Sequence, residues 1–139
     1  MLVLDTNHVK ELAYHSPAGE RLRRRLLEAK TEVVTTVISV EEELRGVLAR
    51  ANRALNDEER VLAYHKLMER VTFYARWLVL SLDAESSAAF AQFRSQGIRI
   101  GTQDLRIGCI ALAHGATVLT RNTVDFAQVP GLRSENWLD

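Results

Sequence analysis

Met1-Leu2-Val3-Leu4-Asp5-Thr6-Asn7 opens the chain, and the reading of this stretch decides the fold. The apolar run is short and uninterrupted, as a strand buried on both faces requires. It stops on an acid. The residues from Thr6 to His15 then read as a helix. A buried strand passing through a carboxylate into a helix is the first half of a β–α unit.

The same order recurs downstream. Ser16-Pro17 reads as an N-cap and first helical residue. The helix it starts has Leu22, Leu26 and Ala29 on one face, with Arg21, Arg23, Arg24 and Arg25 elsewhere. Val33 to Val37 is short and β-branched, hence a second strand. Ser39 reads as the cap of the next helix, whose apolar stripe is Leu44, Val47, Leu48 and Ala51. Asn52 to Asp57 reads as a helix–helix turn, with Asp57 capping a long helix to Arg76 that carries Leu62, Leu67 and Val71. Leu78-Val79-Leu80 is a third strand. Asp83 caps a helix bearing Ala88, Ala89, Phe90 and Phe93, stopped by Gly97. Gly101 to Asp104 leads into a helix ended by Gly115, and Val118-Leu119-Thr120 is a fourth strand. The tail from Val129 to Asp139 reads as irregular or weakly stranded.

Strands alternating with helices, each strand apolar throughout, predict an α/β fold: one three-layer α/β/α domain around a short parallel sheet of four to five strands. A length of 139 residues suits one core, and 47% hydrophobic residues can fill it. Charged residues amount to 26% and the formal net charge is zero, so no strongly basic nucleic-acid binder is advertised, although local patches outweigh the sum. No apolar run reaches the roughly 18 residues of a membrane span. The start lacks a basic lead and a cleavage site, which argues against a signal peptide. The single cysteine, Cys109, reads as a buried apolar residue, and its solitude fits a reducing cytosol.

The chemistry lies in the acids. In a parallel sheet the ligand site lies beyond the carboxyl ends of the strands. Asp5 and Asp125 fall there by sequence order, Glu42 follows the second strand, and Asp104 begins a helix. Two carboxylates about 4 Å apart repel by roughly 4 kcal/mol at an effective dielectric of about 20. Several in one pocket need protonation or a cation. An all-oxygen donor set selects a hard ion, Mg²⁺ or Mn²⁺. His8, His15, His65 and His114 have no zinc-type spacing. Each acid also has a purely structural reading. Asp5 could close an Asx-turn. Glu42 stands three residues after Ser39, as in a capping box. Asp104 could serve the helix dipole, and Asp125 could be a solvated loop acid. Of Glu41-Glu42-Glu43, one at most faces a given site, and the other two are expected mostly in solvent.

These residues, in this order, resemble the PIN-domain ribonucleases, specifically the VapC-type toxins of bacterial toxin–antitoxin pairs. The likeness runs from the Asp5-Thr6-Asn7 opening through Ser39-Val40-Glu41-Glu42 with Gly46. It is densest at Ile100-Gly101-Thr102-Gln103-Asp104-Leu105-Arg106-Ile107, Thr120-Arg121-Asn122-Thr123-Val124-Asp125-Phe126, Val129-Pro130-Gly131-Leu132 and Asn136-Trp137. The resemblance implies a Mg²⁺- or Mn²⁺-dependent endoribonuclease acting on single-stranded or looped RNA. It places Asp5, Glu42, Asp104 and Asp125 in the acidic pocket, with Asp5, Asp104 and Asp125 as metal ligands. It implies Thr6, Thr120 and Asn122 as groups that orient ligands or water, a small antitoxin as partner, a homodimer, and a cytoplasmic protein without a membrane segment. Arg106 and Arg121, closest in sequence to the pocket, are the expected RNA contacts, ahead of the Arg21–Arg25 cluster. Trp137 could stack a base, but packing of the tail is favoured.

Three positions depart from the pattern. Asn122 stands where many PIN proteins carry an acid, so Asn122 and Asp125 compete for the fourth place. Gly108-Cys109 replaces two common alanines; a mid-helix glycine costs about 1 kcal/mol and permits close packing. His8 replaces an aliphatic residue, and is expected either as a partly exposed helix residue or as a polar contact beside the RNA path. Rival readings are a phosphoacceptor receiver domain, disfavoured by Arg121 where a lysine is needed, and an Asp-x-Asp phosphatase, disfavoured by Asn7. A PIN-fold binding module with weak or no catalysis is the more serious alternative.

Overall fold

A computed structural model describes residues 1–139. Strand β1 (Leu2–Leu4) lies at the centre of a five-stranded sheet. On one side lie β2 (Val33–Thr36) and β3 (Val79–Leu80), on the other β4 (Thr117–Leu119) and β5 (Arg133–Glu135), in the order β3-β2-β1-β4-β5. All pairs are parallel. Seven helices connect or follow them: α1 (Thr6–Ala13), α2 (Pro17–Ala29), α3 (Val37–Asn52), α4 (Asp57–Tyr74), α5 (Ala84–Ser95), α6 (Thr102–Ala113) and α7 (Thr123–Phe126). The expected α/β/α architecture is thus present, with the tail's weak strand as the fifth.

Alternation along the strands builds two cores. Val3, Val34 and Val118 face α6 through Ile107, Ile110 and Ala111, and Phe126 joins them. Leu2, Leu4 and Leu119 face the opposite way, onto Val9, Leu12, Leu22, Tyr74 and Leu138. A third cluster, Phe93, Ile100, Leu105, Cys109 and Val129, seals α5 to α6. Cys109 is buried as expected, and burial pushes its thiol up to about 11, so it stays neutral and unreactive. Gly108 also behaves as read: a Cβ there would meet Leu132 at 3.2 Å and Phe126 at 3.7 Å.

Several local readings are corrected. The cap of α3 is Thr36, not Ser39. Its hydroxyl accepts from the Ser39 amide at 3.3 Å, because β2 runs straight into the helix. The proposed Ser39–Glu42 capping box is therefore not formed. Asn56 caps α4 instead of Asp57, which is the first helical residue and pairs with Arg60. The stripe read on α4 faces solvent at Leu62 and Val71, as Leu48 does on α3. Glu43, expected in solvent, is buried. It accepts from the Tyr74 hydroxyl at 2.7 Å and lies 4.0 Å from the buried Arg70 guanidinium. Burial and the adjacent Glu43 carboxylate push the Tyr74 phenol up, so it remains a donor.

The chain leaves β1 toward β2 on one side and returns to β4 on the other. Such a reversal opens a crevice at the carboxyl ends of the two central strands. Asp5 ends β1 there, and Thr120 follows β4 there.

Candidate functional site at the carboxyl edge of the sheet

Each acid is placed by an element boundary. Asp5 is the N-cap of α1. It is buried, its own amide donates to the Leu119 carbonyl at 3.0 Å, and its Oδ1 accepts from the His8 amide at 2.9 Å. Asp104 stands in the first turn of α6, where the helix dipole favours negative charge. Asp125 stands in α7, and Asn122 is that helix's N-cap residue. Glu42 lies on α3 and is half-buried, whereas Glu41 is exposed and turns to Gln103 at 2.7 Å and Arg45 at 2.7 Å. The three successive helical side chains fan apart, with Glu41 exposed, Glu42 half-buried and Glu43 buried.

The four acids share one field. Burial raises Glu42 above the ordinary carboxylate range. The Thr6 hydroxyl works against that shift, and the charges of Asp104 and Asp5 add to it. Burial raises Asp104 too, opposed by its hydrogen bond from Asn122 and reinforced by Asp5 and Asp125. Every acid named from the sequence thus acts on at least one other. The Asn122 amide nitrogen donates to Asp104 Oδ2 at 3.1 Å and to Asp125 Oδ2 at 2.8 Å. Asn122 and Asp125 are thus neighbours in one network, in which the amide links Asp125 to Asp104.

The residues expected to orient ligands or water are bonded within the scaffold. Thr120 is fully buried and its hydroxyl accepts from the Asn122 amide at 2.9 Å, fixing the turn that carries Asn122. Thr6 donates to Ser39 at 3.1 Å, which ties the start of α1 to α3 beneath Glu42. The expected metal ligands Asp5, Asp104 and Asp125 are not drawn into a closed ligating group; no three carboxylate, imidazole or thiol groups are so arranged. Asp5 Oδ1 is tied to His8, and Asn122 holds Asp104 and Asp125 by one oxygen each. The donor set itself is all oxygen, and two of its acids are destabilised as anions, which is the chemistry a hard divalent cation relieves.

The basic residues are less free than expected. Arg121 pairs with Asp139 at 3.3 Å and Glu11 at 3.4 Å. Arg106 donates to Gln103 at 2.9 Å and covers the Phe90 ring. Trp137 packs under the Arg25 guanidinium, 4.1 Å from the ring centre, in keeping with the packing role. Cavities of about 590, 500 and 490 Å³ lie elsewhere and include none of the four acids in their walls.

His8 is the residue the sequence reading undervalued. It is fully buried, and its Nδ1 lies 3.1 Å from Asp5 Oδ1. The signal was present in the spacing: a side chain three residues after an N-cap reaches back to that cap, as in a capping box.

Known proteins resemble this chain in both sequence and shape. Ribonuclease VapC2 of Rickettsia felis is 32% identical over 69 residues, covering 47% of this chain and 52% of that protein, so the match spans about half the length of that relative. The tRNA(fMet)-specific endonuclease VapC of Shigella flexneri is 27% identical over 139 residues, covering 97% of this chain and 96% of its own. The crystal structure of DNA-bound VapBC from Salmonella typhimurium superposes with a TM-score of 0.77 at 25% identity, covering 98% of this chain and 97% of that one. A family model described as PIN domain matches residues 2–132, a span that contains all four acids, and the chain therefore belongs to the PIN-domain family.

Proposed function

We propose that the protein is a divalent-metal-dependent endoribonuclease and the toxin of a toxin–antitoxin pair. The observation that carries this reading is the shared field of Asp5, Glu42, Asp104 and Asp125 at the crevice between β1 and β4. Membership of the PIN-domain family and relatives named ribonuclease or endonuclease support it.

Asp5, Asp104 and Asp125 would hold Mg²⁺ or Mn²⁺. Such an ion supplies Lewis-acid activation of water and offsets charge on the scissile phosphate. Glu42, which feels the charges of Asp104 and Asp5, would be suited to accept a proton from water there, because its raised affinity for protons makes it the better base. Thr120 and Asn122 hold the acidic turn in place, and Thr6 ties α1 to α3. Attack by water leaves a 5′-phosphate and a 3′-OH. Single-stranded or looped RNA is the proposed substrate, with Arg106, bonded to Gln103 beside Asp104 in the first turns of α6, as a proposed phosphate contact.

A small antitoxin and a second copy of the chain are the proposed partners. Val61, Leu62, Tyr64, Met68 and Val71 of α4 are all exposed, an apolar face of the kind that macromolecular contacts cover. No helix is long and apolar enough to cross a membrane; action in the cytoplasm is part of the proposal.

The test is cleavage of structured and unstructured RNA by the wild type and by Asp5→Asn, with Mg²⁺ or Mn²⁺ and with EDTA. Wild-type cleavage that needs the ion and is lost in the variant is expected. Equal, chelator-insensitive cleavage by both proteins overturns the reading, and no ion binding at millimolar Mn²⁺ favours a binding module.

A further inference from the structure

His8 sits between Asp5 and the end of the chain. On one side its backbone amide and its Nδ1 converge on the same carboxylate oxygen, Asp5 Oδ1, at 2.9 and 3.1 Å. On the other side its Nε2 lies 3.4 Å from the Trp137 backbone nitrogen. A backbone amide only donates, so Nε2 is the acceptor there. The proton of the neutral ring is then on Nδ1, directed at Asp5. The tautomer is thus set by the tail and expressed at the pocket.

The tail has its own anchors. Leu138 is buried in the core beside Leu4, the Trp137 indole N–H donates to Glu135 at 2.7 Å, and Arg25 covers the indole. The Trp137 amide is therefore held in place independently of His8. Two donors saturate Asp5 Oδ1 and fix the carboxylate plane, which leaves Oδ2 as the oxygen open to an ion.

From this geometry we infer that His8 is a positioning residue for Asp5, through which the C-terminal segment Asn136–Leu138 orients the carboxylate that receives a divalent cation. The inference rests on the proposed metal-dependent site. A leucine would fill the same buried volume and continue the apolar core, so packing alone does not call for imidazole at this position. The bonds on both ring nitrogens do.

The experiment measures Mn²⁺ affinity of the full chain by calorimetry, with thermal unfolding of every variant. His8→Leu removes both bonds. His8→Asn places an amide N–H near the Nδ1 position and restores the donor to Asp5 alone. His8→Gln extends its amide toward Trp137 and loses the donor to Asp5. Loss of a bond that orients a metal ligand typically weakens binding roughly 10–100-fold. The expected order is wild type, then Asn close behind, then Gln and Leu at least tenfold weaker. Equal Mn²⁺ affinity in wild type and His8→Leu overturns the inference while leaving the metal site intact. Should His8→Leu fail to fold, Gln binding as tightly as Asn overturns it equally. A wild type that binds no Mn²⁺ overturns the functional reading and this inference together, and Asp5→Asn supplies the baseline that identifies that case.

Discussion

Asn122→Asp tests how the crowded acids are kept in one place. The Asn122 amide donates to Asp104 at 3.1 Å and to Asp125 at 2.8 Å. Aspartate replaces that donor by a further anion. Two bonds to charged acceptors are lost, each worth about 1 kcal/mol at a half-buried site. The new charge adds repulsion of roughly 1–4 kcal/mol, depending on how far water screens it. Rotation of the side chains toward solvent relieves part of this, which leaves a net loss of about 3 kcal/mol. A domain of this size loses about 3 °C of Tm per kcal/mol, so the variant should melt about 10 °C below wild type in EDTA. A divalent ion narrows the gap, because the added carboxylate is also an added oxygen ligand. Binding at 100 times Kd stabilises by about 2.7 kcal/mol, and the variant's Tm should therefore rise more in millimolar Mn²⁺ than the wild type's. Calorimetric melts at neutral pH, with EDTA and with Mn²⁺, measure both effects. A variant within about 2 °C of wild type in EDTA would show that the amide does not restrain the acids. A smaller Mn²⁺ response in the variant would show that the acids do not share an ion.

Other expectations concern the scaffold. A Cβ on Gly19 would lie 2.0 Å from the Glu11 carbonyl oxygen and 2.6 Å from its carbon, so Gly19→Ala should cost about 3 kcal/mol in urea unfolding; an unchanged midpoint would mean α1 and α2 do not meet there. Gly46 has open space around it in mid-helix, so Gly46→Ala should gain about 1 kcal/mol, and a loss would mean this face of α3 is covered. Glu43→Ala strands the buried Arg70, whose Nε and Nη1 have no hydrogen-bond partner. It should cost about 3–5 kcal/mol, with most of the loss recovered in Glu43→Leu/Arg70→Met; equal losses in the single and double variants would refute a coupled pair. Asp83 is held below the ordinary range by the Ser86 amide and hydroxyl. A lowered carboxyl stabilises above its unfolded pKa of about 3.9 and less as pH falls through its folded value. Asp83→Ala should therefore lower Tm at neutral pH, and the gap should close below about pH 4; a constant gap would refute the linkage.

The parts of the site that were legible in the sequence are those fixed by an element boundary. Asp5 follows an apolar strand, Asp104 begins a helix, and Thr120 and Asn122 follow another strand, so their order on the sheet edge comes from chain direction alone. The resemblance singled out Glu42 by its spacing from Ser39 and Gly46, and the helical fan turns Glu41 and Glu43 in other directions. What was not legible depended on distant partners. Glu43 is buried because Tyr74, 31 residues away, offers a hydroxyl. The start of α3 was misplaced because Thr36 and Ser39 can both cap a helix, and Val37-Ile38 suits a strand as well as a helix. Pairing decides it: Thr35 and Thr36 are held against Val79 and Leu80 of β3, and nothing continues that ladder. Leu62 and Val71 of the α4 stripe face solvent because periodicity identifies a face without saying what covers it.

The site opposes the fold that carries it. Glu42 and Asp104 are both less stable as anions here than in water, and the chain answers unevenly. Asp104 and Asp125 receive the Asn122 amide, Asp5 receives two donors from His8, and Glu42 is aided by the Thr6 hydroxyl. The bonds to Asp5, Asp104 and Asp125 take up one carboxylate oxygen of each and leave the other without a protein donor. A chain optimised for stability alone would neutralise one of the acids or close the cluster with an arginine. Arg121 is near enough in sequence to do so and is instead held by Glu11 and Asp139. Keeping Arg121 out of the crevice while holding one oxygen each of Asp5, Asp104 and Asp125 is the arrangement expected when the remaining charge must come from outside the chain. A metal ion with its phosphate substrate can supply it, and so can a partner that offers its own cation to the same oxygens.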